Sequence, residues 1–140
     1  MSANFTERIN ALWTVFLLGT LFHTDLGLMP LFHGQTVALG DAPKTANVSF
    51  ILWLMLAFFA LPMIAIIATT FTQSRRYRVI HFGLTVIYTV LNFLHVTMDL
   101  TVQPIAWYQI ALMTFLFCVG LLLNWVSWEW MKLRLPNHLS

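Results

Sequence analysis

The sequence predicts an all-α integral membrane protein, a single four-span transmembrane helix bundle over residues 1–140, and three observations carry that prediction. Hydrophobic residues make up 59% of the 140-residue chain and charged residues only 9%. The mean hydropathy is +0.79, far above that of a soluble domain. Four apolar stretches each approach the roughly 20 residues that a bilayer core requires.

The first span is expected at residues 11–32. Residues 1–10 place Glu7 against Arg8 rather than forming a basic leader, and no small-residue cleavage site follows Leu21, so this span reads as a retained helix and not a signal peptide. The connection over residues 33–47 carries Gly34, Gly40 and Pro43 as breakers and is too short for a domain. The second span is expected at 48–71. It has no ionisable residue and reads as a wall of the bundle, kinked where Pro62 removes a backbone donor and crowds the carbonyl of Phe58. The third span is expected at 79–102 and the fourth at 105–131, with Pro104 suited to the first turn of the fourth.

Basic residues set the expected orientation. Arg75, Arg76 and Arg78 crowd the link between spans two and three, and Lys132 and Arg134 follow span four, whereas the opposite face has only Lys44. Both the N- and C-termini are therefore expected to be cytoplasmic. The net charge of +2 reports topology and gives no reason to expect a nucleic-acid partner. The expected partners are the lipid bilayer and either further copies of the chain, as a homo-oligomer, or a larger membrane complex. Trp125, Trp128 and Trp130 suit an inner aromatic belt, and Trp107 with Tyr108 an outer one. Glu129 is expected to pair with an arginine of the 75–78 cluster. His81 and His138 are assigned to the inner interface and the polar tail, with no catalytic role.

Five ionisable side chains stand out because such groups are costly in a membrane and are seldom placed there without a partner or a task. His23, Asp25, His33, His95 and Asp99 all approach the non-cytoplasmic side. His95 and Asp99 are four apart and share a helix face, which Tyr88 and Asn92 extend. His23 shares a stripe with Phe16, Thr20 and Gly27. Asp25, two residues from His23, points about 200° away on a regular helix. It joins the site if the helix loosens at Gly27 and Pro30, and otherwise faces another helix or orients His33.

Imidazole nitrogens with carboxylate oxygens are the ligand set of zinc, copper(II) and iron(II), and a ligand histidine commonly donates its second N–H to a carboxylate. The expected metal ligands are thus His23, His33 and His95, with Asp99 as the first carboxylate and Asp25 as a second or as an orienting group. Zinc is the first expectation and copper the second, the latter favoured if Met29 or Met98 brings sulfur to the site. Such a centre belongs to a metal-dependent enzyme or a metal-handling protein. One alternative is a b-type haem or pigment protein with His23 and His95 as axial ligands, although haem requires no adjacent carboxylates. The other is a non-catalytic accessory subunit or an ion or proton path; against transport, no matching polar set is expected in the inner half. Cys118, the single cysteine, excludes dithiol exchange and is expected to be a small buried packing residue.

Overall fold

The structure, a computed structural model, describes residues 2–37 and 47–133. It contains four helices: α1 (Ser2–Phe32), α2 (Val48–Phe71), α3 (Arg75–Asp99) and α4 (Trp107–Lys132). All four are long and apolar enough to cross a membrane. Gly40, Pro43, Lys44, Arg134 and His138 lie outside the described residues. The chain runs up and down, so the C-terminal ends of α1 and α3 meet at one end of the bundle and the Arg75–Arg78 turn lies at the other.

Three helix starts differ from the expected spans, each for a local reason, and α3 ends at Asp99 rather than at residue 102. The first helix starts at Ser2 rather than at residue 11, because Ile9 and Trp13 are buried in the bundle and hold the polar first turns against it. The third starts at Arg75, capped by Ser74, whose Oγ accepts from the backbone N–H of Tyr77 at 3.2 Å. Its three arginines therefore sit on the helix and not in the link. The fourth starts at Trp107, which leaves Pro104 in the connection.

Nor does α1 loosen at Gly27 and Pro30; the helix continues through Pro30 to Phe32. It stops at Gly34, with φ of 72°. The N–H of Gly34 donates to Leu31 O at 3.1 Å and that of Gln35 to Pro30 O at 3.0 Å, the paired bonds of a Schellman turn. A residue with a Cβ is strained at that φ.

Close backbone approach holds α1 to α4 and α3 to α4. A Cβ on Gly19 would overlap the side chain of Leu116, and one on Gly120 would lie 2.9 Å from Thr89 Oγ1. Small residues at such points let helices meet without a hydrophobic driving force between them, as packing in lipid requires. The second helix is peripheral. It packs against α1 and buries only Pro62, Ala65 and Thr69.

Tyrosines tie α2 to α3. Pro62 lacks the N–H that would bond Phe58 O, and the Tyr88 hydroxyl supplies the missing donor at 2.7 Å. Two turns further along α2, the Tyr77 hydroxyl donates to Ala65 O at 2.8 Å and lies 2.9 Å from Thr69 Oγ1.

The arginine end is densely packed. Trp13 Nε1 donates to His81 Nε2 at 2.9 Å. Arg78 Nη1 donates to Trp130 O at 2.8 Å and Leu133 O at 2.9 Å, placing a cation on the carbonyl end of α4, where the helix dipole favours it. His81 is 1% exposed and Arg78 2%. His81 is thus a core residue and not an interfacial one: it lies among the rings of Trp13, Tyr77 and Trp130 inside the bundle, with its Nδ1 unpartnered among the described residues. Among the described residues no arginine pairs with Glu129, since Arg78 is spent on carbonyls. Trp128 instead carries Lys132 Nζ 4.3 Å above its ring. Cys118 is exposed, on a face of α4 that meets no other helix, and so is not the buried packing residue expected.

Candidate metal centre

The site forms where side chains from the C-terminal halves of α1 and α3 reach each other across the bundle. Phe16, one face of α1, packs edge-on against Tyr88 of α3 with ring centroids 6.1 Å apart. That contact fixes the rotation of both helices. Two turns further along, the same faces bring His23 of α1 opposite His95 of α3, and the helical spacing puts Asp99 one turn beyond His95.

Three side-chain atoms converge there. His95 Nε2 lies 3.2 Å from His23 Nε2. Asp99 Oδ2 lies 3.6 Å from His95 Nε2 and 3.7 Å from His23 Nε2. A point equidistant from all three sits about 2.0 Å from each, which is the bond length of zinc to imidazole nitrogen or carboxylate oxygen. Among the described residues this is the grouping of histidine, cysteine and acidic side chains whose donor atoms lie within 4.8 Å of one another.

Exposure is graded across the three. The His23 side chain is 13% exposed, Asp99 20% and His95 50%. Asp99 Oδ2 and His23 Nδ1 are buried atoms with no hydrogen-bond partner among the described residues. A carboxylate oxygen in that condition loses several kcal/mol of solvation unless a cation or proton compensates it.

The other two sequence-proposed ligands are elsewhere. Asp25 is exposed, because the uninterrupted helix keeps it about 200° from His23. His33 is exposed at the end of α1, where its backbone N–H joins the terminal turn. Neither belongs to the convergent group. Gln109 packs over Gly27 and is not among the converging donors. Met29 and Met98 are both exposed. The imidazoles of His23 and His95 touch edge to face, with centroids 5.2 Å apart, so no macrocycle fits between them as bis-histidine haem ligation demands.

Two features were not read from the sequence. One is a cavity of about 740 Å³ between α1, α2 and α3. Thr20, His23, Asn92 and His95 form its polar end, and Leu54, Phe58 and Leu91 are among its apolar walls. The other is a line of buried polar groups along α3, since Arg78, His81, Thr85, Thr89 and Asn92 are all buried. This overturns the expectation that the other half lacks polar groups. The threonines bond back to carbonyls of their own helix, Thr85 to Phe82 O at 2.8 Å and Thr89 to Thr85 O at 3.0 Å, and α4 joins them through Asn124 Nδ2 to Thr89 Oγ1 at 3.0 Å. The spacing of three and four along α3 was the available signal; the cavity has none, because the wall that α2 gives it is apolar.

No family model matches the chain, and no match was found among curated proteins or solved structures. The chemistry of the site therefore stands on its own geometry.

Proposed function

We propose that this chain is a membrane metalloprotein that holds one transition metal on His23 Nε2, His95 Nε2 and Asp99 Oδ2, with zinc preferred and copper second. The observation that carries this reading is the donor triangle itself, whose three atoms are equidistant from a point at metal–ligand bond length. Two neutral imidazoles and a carboxylate are hard-to-borderline donors suited to zinc or copper(II). The buried, unbonded Asp99 oxygen is the anionic partner that such an ion neutralises.

Three protein ligands leave a fourth position open, the pattern of catalytic and transfer sites and not of closed structural ones. His95, half exposed, faces the cavity, and the open position lies on that side. An ion held there polarises a bound oxygen ligand or lowers the pKa of a bound water. Ligation through Nε2 puts the remaining ring proton of His23 on Nδ1, a buried atom without a hydrogen-bond partner among the described residues. By the arginine distribution, the site faces the non-cytoplasmic side and both termini the cytoplasm.

A second reading rests on the same 3.2 Å contact, which is also the length of a hydrogen bond, so that a shared proton replaces the metal. Elemental analysis of protein purified without chelator separates the two. About one equivalent of zinc or copper, absent from a His95→Ala/Asp99→Asn variant that remains folded, supports the metal. Metal-free protein in both cases assigns the pair to a shared proton.

A further inference from the structure

The cavity is the strongest feature that the metal centre does not itself explain. Its walls come from α1, α2 and α3, and two of the three metal donors, His23 and His95, are part of its lining. The first half of α2 is what makes it. From Phe50 to Leu56 the large side chains of α2 are exposed, and the helix is tied to α3 only from Phe58 onward, by Tyr88 and then Tyr77. Apart from those tyrosine bonds α2 and α3 pack little against each other, and the cavity forms a wedge between them that is open sideways. In a bilayer that opening faces hydrocarbon, so an occupant enters from the lipid and not from water.

The wedge is chemically two-ended. Leu54, Met55, Phe59, Leu61, Ile87 and Leu91 offer nothing but apolar contact. At the other end stand Thr20, Thr24, Asn92 and the two histidines. Asn92 is 4% exposed, and its Oδ1 has no hydrogen-bond partner among the described residues, an expensive arrangement for an amide that lines a cavity. A volume of about 740 Å³ falls in the range of cavities that enclose a whole small ligand, roughly 300–1,000 Å³.

We infer that the wedge binds a single-tailed amphiphile with an anionic oxygen head, a long-chain carboxylate, whose tail lies between α2 and α3 and whose head takes the open metal position beside Asn92. This inference rests on the metal reading above. A divalent ion with one carboxylate and two neutral imidazoles retains a single positive charge, and in a water-poor site an anionic fourth ligand is the one that cancels it. Asn92 Nδ2 is the amide atom able to donate a hydrogen bond to the same head; its unpartnered Oδ1 is an acceptor and does not bond a carboxylate. The tail explains why the walls are apolar throughout, and lateral entry explains why α2 is left loose along its first half.

The test uses cobalt(II) as a visible reporter in the full chain, reconstituted into phosphatidylcholine nanodiscs, with sodium hexadecanoate and hexadecanol as probes. Tetrahedral cobalt bands that are absent in His95→Ala establish the metal centre. Hexadecanoate is expected to shift those bands saturably and hexadecanol to leave them unchanged. Ala57→Trp, which fills the wedge without touching a metal donor, is expected to keep the bands and weaken the hexadecanoate response at least tenfold. Bands that ignore hexadecanoate, that respond equally to hexadecanol, or that respond in Ala57→Trp as in the unaltered chain overturn the amphiphile while leaving the metal centre intact. Absence of the bands in the unaltered chain overturns the metal reading and this inference together.

Discussion

The two ends of the bundle use histidine in opposite ways. At the arginine end, His81 is enclosed, accepts a hydrogen bond from Trp13, and is ringed by Tyr77 and Trp130. At the other end, His23 and His95 face each other across α1 and α3 beside a carboxylate, with half of the His95 side chain open. Both ends leave a buried imidazole Nδ1 unbonded, but the second also brings three metal-ligating atoms together and leaves an acidic oxygen unbonded. The difference lies in the neighbours and not in the residue type. Trp13 engages one nitrogen of His81 and the helix-end carbonyls one nitrogen of Arg78 from within the protein, whereas the Asp99 oxygen is left to an added ion or proton.

Substitutions at the two ends should therefore separate stability from metal binding. The largest effect is expected for His95→Ala and Asp99→Asn, which remove a ligand. Metal affinity should fall by roughly 100-fold or more, since loss of a group that merely orients a ligand already costs 10–100-fold. Thermal unfolding in detergent should change little, and isothermal titration with zinc reads the loss. At the packed end, Trp13→Ala should do the reverse. It empties a fully buried indole site and strands His81, at a cost of about 3–5 kcal/mol in denaturant unfolding with metal stoichiometry retained in the folded fraction. If Trp13→Ala strips the metal from protein that remains folded, the ends are not independent and the contrast fails.

Smaller changes sharpen the same picture. Gly19→Leu should destabilise by about 1–3 kcal/mol, because a side chain there runs into Leu116, and Leu116→Ala in the same chain should recover part of the loss. Tyr88→Phe should cost about 1 kcal/mol by leaving Phe58 O without the donor that Pro62 cannot provide. Asp25→Asn and His33→Ala should change neither zinc affinity nor stability measurably; a tenfold drop in affinity for either would bring that residue into the site.

Most of the fold was legible because membrane spans are written in long apolar runs, and the four helices lie where those runs lie. Their ends were less so. Arg75 reads as link when charge is weighed, yet Ser74 caps a helix that begins there. Pro30 and Gly27 read as a break, yet α1 runs through both and ends only where Gly34 takes a positive φ. The site was legible in part for a related reason. His95 and Asp99 could be paired from spacing alone, since one turn separates them. That His23 opposes them, and that Asp25 and His33 do not join, depends on the rotation of α1, which Phe16 and Trp13 set through contacts with Tyr88 and His81. His81 was misplaced because adjacent arginines suggested an interface, although Arg78 itself is buried beside the end of α4. The wedge between α2 and α3 was invisible because it consists of a separation between helices, and no residue pattern on its apolar α2 wall encodes one.

The most direct test of the metal centre is X-ray absorption at the zinc edge on the zinc-loaded chain, with His95→Ala beside it. The expected spectrum has nitrogen and oxygen scatterers near 2.0 Å and the outer-shell signature of two imidazoles, reduced to one in the variant. A spectrum with sulfur at about 2.3 Å, or an imidazole count that His95→Ala leaves unchanged, would contradict it.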